Sequence, residues 1–126
     1  MGTKSVAIID DDASANRALG RLLRGAGFEP SGFDSAESYL ADPLRRSFAC
    51  VLADIQLTGM SGLELQRKLQ ALGNHTPVIF VTAHDDPDYR AEAVRWGCIA
   101  FFRKTDPGAL IVDALRRAIT TDGKPS

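Results

Sequence analysis

Residues 49–54 read Ala-Cys-Val-Leu-Ala-Asp, five apolar residues without interruption and then an acid. A strand with one face in water alternates polar and apolar side chains. A short continuous apolar run bounded by polar residues predicts a strand covered on both faces, as in a parallel sheet. Three more runs have the same form. Residues 6–9 end at Asp10, residues 78–81 end at Thr82, and residues 99–102 stop just before Lys104. Residues 28–33 make a weaker strand candidate. It contains Pro30 and Gly32, which predicts a position toward a sheet edge.

The stretches between these runs carry helical periodicity. Ala15, Ala18, Leu19, Leu22, Leu23 and Ala26 share one face of a helix that begins at Ser14 and ends at Gly27. Ser35 is an N-cap candidate for a short helix through Leu40, limited by Pro43. Leu65, Leu69 and Leu72 mark a third helix that stops near Gly73. A fourth lies around residues 89–95 and stops at Gly97, with Asp85 and Asp86 before Pro87 read as helix-start residues. Ile111, Ala114, Leu115, Ala118 and Ile119 define the last helix, and the polar tail at 120–126 is expected to fray. Five strand–helix units predict an α/β fold, a five-stranded parallel sheet with five helices in a three-layer sandwich.

Composition limits the function classes. The 126 residues are 44% hydrophobic and 25% charged, which suits one soluble domain over residues 1–126 with its core at about 5–119. Lys and Arg number 15 against 16 Asp and Glu, a net charge of -1, so no basic excess points to direct nucleic-acid binding. No apolar run approaches the ~20 residues of a membrane span, and no membrane association is expected. The start, MGTKSVAII, lacks the apolar core of a signal peptide. Cys50 and Cys98 sit in apolar stretches and read as core thiols. The cytoplasm is the expected compartment.

The crevice of an open parallel sheet lies outside the C-terminal ends of its strands. Those ends deliver Asp10 and Asp11, Asp54, Thr82 and Lys104. Crowded carboxylates repel one another, which tends to raise their pKa values, and a hard divalent cation relieves the repulsion. Mg²⁺, or Mn²⁺ in its place, would take Asp10, Asp11, Asp54 and the backbone carbonyl of Gln56 as ligands. With only His75, His84 and two distant cysteines, no zinc set exists. A carboxylate at such a site can attack phosphorus and form an aspartyl phosphate at Asp54. Lys104 and the Thr82 hydroxyl would then serve the phosphoryl oxygens. Asp12 reads as a helix cap, and His84, two residues past Thr82, as a residue of the site rim.

The segments IIDDD at 8–12, VLADIQLTGMSG at 51–62, VIFVTAHDD at 78–86, GCIAFFRK at 97–104 and DALRRAI at 113–119 together resemble a response-regulator receiver domain. The likeness is greatest to the receivers of nitrogen-fixation regulators. The resemblance implies a flavodoxin-like (βα)5 fold with strand order 2-1-3-4-5. It makes Asp54 the phosphoacceptor, Asp10 and Asp11 the acidic metal pair with Asp11 the more direct ligand, Thr82 the switch hydroxyl, Lys104 the essential lysine and Phe101 the switch aromatic. It implies a phosphohistidine donor on a sensor histidine kinase or phosphotransfer protein. Helix four, strand five and helix five would form the output face, used for a homodimer or an output domain. Three positions depart from the family. Thr58 replaces a usual Pro, Gly59 a usual Asp or Asn, and Thr105 the Pro that normally follows the lysine through a cis bond. A cis bond to Thr is far costlier, so either Lys104–Thr105 is trans in a rebuilt loop or strain is tolerated there.

Two other readings stand beside this one. The chain could be a pseudo-receiver, a phosphorylation-independent interaction module, which the altered loops would suit. IIDDDAS also resembles the motif of haloacid-dehalogenase-like phosphatases, with Asp10 as nucleophile and Asp12 as acid, although Ser14 and the unassigned Asp54 fit it poorly. A flavin-binding domain of the same topology would need a phosphate-binding loop after the first strand, and none is present. After the core at 5–119, too few residues remain for a DNA-binding helix-turn-helix. Whether the chain is a natural single-domain regulator or part of a longer transcription factor stays open.

Overall fold

A computed structural model describes residues 4–122, with side chains as far as Ile119. The elements follow in the order β1 (Ser5–Ile9), α1 (Ala13–Gly25), β2 (Glu29–Phe33), α2 (Ala36–Ala41), a 3-10 turn (Arg45–Ser47), β3 (Cys50–Ala53), α3 (Gly62–Ala71), β4 (Val78–Thr82), α4 (Pro87–Arg95), β5 (Ala100–Arg103) and α5 (Gly108–Asp122). The strands form one parallel sheet in the order β2-β1-β3-β4-β5. The strand carrying Pro30 and Gly32 is one of the two edge strands, where a missing backbone donor does least harm.

The apolar runs are buried on both faces because alternate side chains enter different cores. Ala7, Ile9, Val51, Ala53, Phe80 and Phe101 pack with Tyr39 of α2, Leu65 and Leu69 of α3 and Ala93 of α4. Val6, Ile8, Cys50, Leu52, Ile79 and Val81 pack with Leu23 of α1 and Ile111, Val112, Ala114 and Leu115 of α5. The three layers follow from this division. No disulfide joins the cysteines, with Cys50 in the core and Cys98 half-buried.

Local signals fix the helix ends. Asp12 caps α1 by accepting from the N–H groups of Ser14 and Ala15, Ser35 caps α2, Ser61 and Glu64 form a capping box on α3, and Asp86 caps α4 ahead of Pro87. Gly27, Gly73 and Gly97 have positive φ just past α1, α3 and α4.

Periodicity overreaches at a few positions. Leu72 caps the C-terminus of α3, beyond its last buried turn, and is 40% exposed, while Ile99 precedes β5 and is 51% exposed. Ala18 on α1 is exposed too. Trp96 is half-buried at the end of α4. Its indole N–H donates to Glu92, and the Arg67 guanidinium lies 6.0 Å from the ring. Helix α5 runs through Asp122, so the first three residues of the expected tail are helical, and 123–126 lie outside the described residues. Among the described residues no peptide bond is cis, so Lys104–Thr105 is trans. The segment turns through a hydrogen bond from Asp106 N–H to the Arg103 carbonyl. Among the described residues no helix is long and apolar enough to cross a membrane.

Gly62 ties the fold to the crevice. Its N–H donates to the Ile55 carbonyl at 2.8 Å, and a Cβ here would collide with the Asp54 carbonyl oxygen. Gly62→Ala is therefore expected to destabilise the domain by about 2 kcal/mol in urea unfolding, through displaced backbone rather than helix propensity. An unchanged midpoint would show that the Asp54 backbone is free to move.

Candidate functional site

The sheet ladder continues one step beyond the strands and carries the chemical groups with it. Asp10 N–H donates to the Phe33 carbonyl, Asp54 N–H to the Ile9 carbonyl and Lys104 N–H to the Thr82 carbonyl, at 2.9–3.0 Å. Strand order reverses between β1 and β3, so Asp10 and Asp54 flank the point where an open sheet leaves a crevice.

Asp10 is 2% exposed and Asp54 6%. The Lys104 ammonium bridges them, 2.8 Å from Asp10 Oδ2 and 2.9 Å from Asp54 Oδ2. The other carboxylate oxygens accept backbone N–H groups. Asp10 Oδ1 accepts from Asp12 at 2.9 Å and Asp54 Oδ1 from Gln56 at 3.3 Å. Asp10 Oδ2 is fully buried and takes no aligned hydrogen bond, so its neutralisation rests on the short ion pair.

Burial pushes the Asp10 carboxyl above its ordinary value, against the ion pair with Lys104 and the hydrogen bond from Asp12. Repulsion from Asp54, the cause expected from the sequence, acts in the same direction but is the smaller contribution. Burial pulls Lys104 down, yet its short contacts with the Asp10 and Asp54 carboxylates and their charges outweigh it and raise its pKa. The ammonium is thus held charged between the two acids.

Thr82 closes β4 fully buried, and its Oγ1 accepts the His84 N–H at 3.3 Å. His84 and Gln56 are exposed at the mouth. Asp12 is engaged as the α1 cap. Phe101 is 9% exposed, packed on Phe80 with centroids 6.2 Å apart. The Arg90 guanidinium lies 4.6 Å from the Phe101 ring centre. Asp85 holds Arg90 at 3.1 Å and Arg103 at 3.7 Å, so it braces the β4–α4 loop rather than only opening a helix.

Asp11 has no part in the Lys104 ion pairs. Its Oδ2 accepts both the N–H and the hydroxyl of Thr58, each at 3.0 Å. Sequence reasoning named both residues but did not join them. It also missed Asn16, whose side-chain amide donates to the Asp10 and Phe33 carbonyls at 3.1 and 3.0 Å, and Glu37, which accepts the Met60 N–H at 2.8 Å. An amide one turn into an Ala-rich helix, directly behind the acid triplet, was the available signal for Asn16.

The donor chemistry suits a hard divalent cation, since every candidate ligand is oxygen and Asp10 Oδ2 is buried without an aligned hydrogen bond. Among the described residues no three His, Cys, Asp or Glu side chains are gathered to hold a metal ion, and Asp11 is engaged by Thr58.

Asp10 gives a pH test. Its raised pKa means that the folded state binds a proton more tightly than the unfolded chain. The stability this contributes is present below the unfolded pKa and is lost as pH rises through the folded one. Asp10→Asn has no such loss. Its stability relative to the wild type is therefore expected to rise as pH goes from acidic to neutral, and the gap between the two proteins to change with pH. A gap independent of pH in paired thermal melts would contradict this.

Residues 6–116 match the response regulator receiver domain family. The response regulator protein TmoT of Ectopseudomonas mendocina is 36% identical over 89% of this chain and 51% of its own length. The transcriptional regulatory protein FixJ of Bradyrhizobium diazoefficiens is 34% identical over 94% of this chain and 60% of its own. The chain thus spans about half the length of the curated relatives it matches. Among solved structures, the crystal structure of FixJ-N superposes with a TM-score of 0.87 at 31% identity, covering 100% of this chain and 99% of that one. The low-resolution structure of the response regulator StyR gives 0.86 at 35% identity, covering 95% of this chain and 61% of that one. The matches run along the whole sheet and its helices, and the chain therefore belongs to the response regulator receiver domain family.

Proposed function

We propose that Asp54 accepts a phosphoryl group from the phosphohistidine of a sensor histidine kinase or phosphotransfer protein, and that this switches the face formed by α4, β5 and α5. The observation that carries the reading is the Lys104 ammonium held at 2.8 and 2.9 Å from the Asp10 and Asp54 carboxylates. An Asp54 oxygen attacks phosphorus, the phosphorus–nitrogen bond of the donor breaks, and its electron pair leaves on the imidazole. Asp54 needs no general base, since a carboxylate is already the nucleophile. The charge it gives up reappears on the phosphoryl oxygens, within reach of the same ammonium. The buried Thr82 hydroxyl, which accepts from His84, keeps its own proton to donate to one of those oxygens. Small donors such as acetyl phosphate would serve the same chemistry.

Asp10, Asp11, Asp54 and the Gln56 carbonyl would hold Mg²⁺, or Mn²⁺. When bound, the cation offsets carboxylate repulsion and the negative charge of the transferring group. The residues that make the aspartyl phosphate also bring water to it, so the chain catalyses its own phosphorylation and dephosphorylation, with His84 at the rim.

The output follows from a population shift between two states. Movement of Thr82 toward a phosphorylated Asp54 changes the space beside Phe101, whose ring already lies mostly inside the core under Arg90. The partners on that face would be a second copy of the chain or an output domain. The transcription-regulating activity named for FixJ belongs to that longer protein. Here we assign the cytoplasmic signal-receiving step, without direct nucleic-acid or membrane contact. The cap role of Asp12 weighs against the phosphatase alternative, in which Asp12 would be the acid. The intact Asp10–Lys104–Asp54 bridge weighs against a pseudo-receiver.

Incubated with Mg²⁺ and acetyl phosphate, the chain is expected to take up one acid-stable, alkali-labile phosphate. Asp54→Asn should take up none, and Lys104→Ala should remain folded and react on the order of a hundredfold more slowly. Uptake undiminished in Asp54→Asn would contradict the assignment. No uptake from acetyl phosphate or any kinase would favour the phosphorylation-independent module.

A further inference from the structure

The loop after Asp54 reaches across the mouth of the crevice to Asp11, a residue 47 positions earlier in the chain. Thr58 presents its N–H and its hydroxyl to one carboxylate oxygen, each at 3.0 Å. Hydrogen bonds to a charged acceptor are the stronger kind, and two donors on one oxygen fix its direction. A proline here would supply neither donor.

The loop itself is anchored just past Thr58 by Glu37 and Ile55. Met60 N–H is held by Glu37 Oε2 at 2.8 Å, and Gly62 N–H by the Ile55 carbonyl at 2.8 Å. Gly59, between Thr58 and Met60, has a φ of +82°, and a Cβ there would strike the Glu37 carboxylate. Asp10 and Asp54 share Lys104, Asp11 does not join them, and among the described residues no three acids are gathered to hold a cation.

We infer that Thr58 is a positioning residue that holds the Asp11 carboxylate away from Asp10 and Asp54, so that a divalent cation gains Asp11 as a ligand only by taking it from Thr58. This rests on the reading of Asp10, Asp11 and Asp54 as cation ligands, and adds that cation binding and release of the loop after Asp54 are one linked equilibrium. Linkage is reciprocal. Whatever weakens the Thr58 contact tightens the cation, and whatever binds the cation frees the loop. The loop borders Asp54, so an incoming donor protein would meet a different surface before and after the cation binds. Both partners are exposed, water replaces part of what is lost, and the effect is modest.

The test is a MgCl₂ titration of the full chain, without phosphodonor, monitored by amide NMR in the wild type, Thr58→Val and Thr58→Pro. Valine keeps the N–H and removes the hydroxyl, and proline removes both. Affinity for Mg²⁺ is expected to rise about threefold in Thr58→Val and about tenfold in Thr58→Pro. In the wild type the Thr58 amide resonance should move with the same midpoint as that of Asp10. Equal affinities in all three proteins, a Thr58 amide that stays still while Asp10 titrates, or no Mg²⁺ binding in any of them would overturn the inference. If Thr58→Pro fails to fold, Thr58→Val and the amide shift decide. Acetyl phosphate uptake by the same wild-type sample separates the two claims. Graded Mg²⁺ affinities without uptake would remove Asp54 as phosphoacceptor and leave the role of Thr58 standing.

Discussion

One ammonium lies within 2.9 Å of two buried carboxylates, and the rest of the site is arranged around it. Asp10 and Asp54 are almost fully removed from water, and each would be strongly disfavoured as an anion without a partner. Lys104 answers both charges at once. It reaches them because β5 sets its backbone against Thr82, while β1 and β3 set Asp10 and Asp54 side by side. The bridge does not remove the cost of burial, which still raises the Asp10 pKa. A site left in that condition favours additional positive charge, which a divalent cation can supply.

The sheet makes this arrangement reproducible. Strands with no polar interruption are covered on both faces, so polar side chains reach the crevice only where strands end. Caps on α1 and α3 then fix the segments that leave β1 and β3. Asp12 orders the turn after Asp10, and the Ser61–Glu64 box with Gly62 closes the loop after Asp54. Farther out, Asp85 joins Arg90 and Arg103, and Arg90 covers Phe101. A chain of contacts thus runs from the segment after Thr82 to the face formed by α4 and β5.

The parts of this picture readable in the sequence are those that depend on local order. The apolar runs at 6–9, 49–53 and 78–81 give strands, and the residues that close them, Asp10, Asp54 and Thr82, fall at one end of a parallel sheet whatever its details. Lys104 obeys the same rule. Asp12 reads as a cap from its distance to the helix, and Pro30 with Gly32 reads as an edge strand. Contacts that depend on loop conformation were not readable. Asp11 with Thr58 and Glu37 with Met60 join segments 47 and 23 residues apart, and nothing periodic relates them. Arg90 on Phe101 needs the tilt of α4, which a single-turn pattern does not specify. Leu72 and Ile99 continue an apolar pattern past the point where the element stops, so the pattern alone drew α3 and β5 one residue too long. The sequence left open two forms for the bond before Thr105, and the fold adopts the trans one.

The central claim is that Asp54, and not the more deeply buried Asp10, is the nucleophile of the bridged pair. The most direct measurement locates the acyl phosphate. The phosphorylated chain is trapped by borohydride reduction, digested and sequenced by mass spectrometry. The account predicts that the reduced residue is Asp54 alone, and a reduced Asp10 with Asp54 unmodified would contradict it.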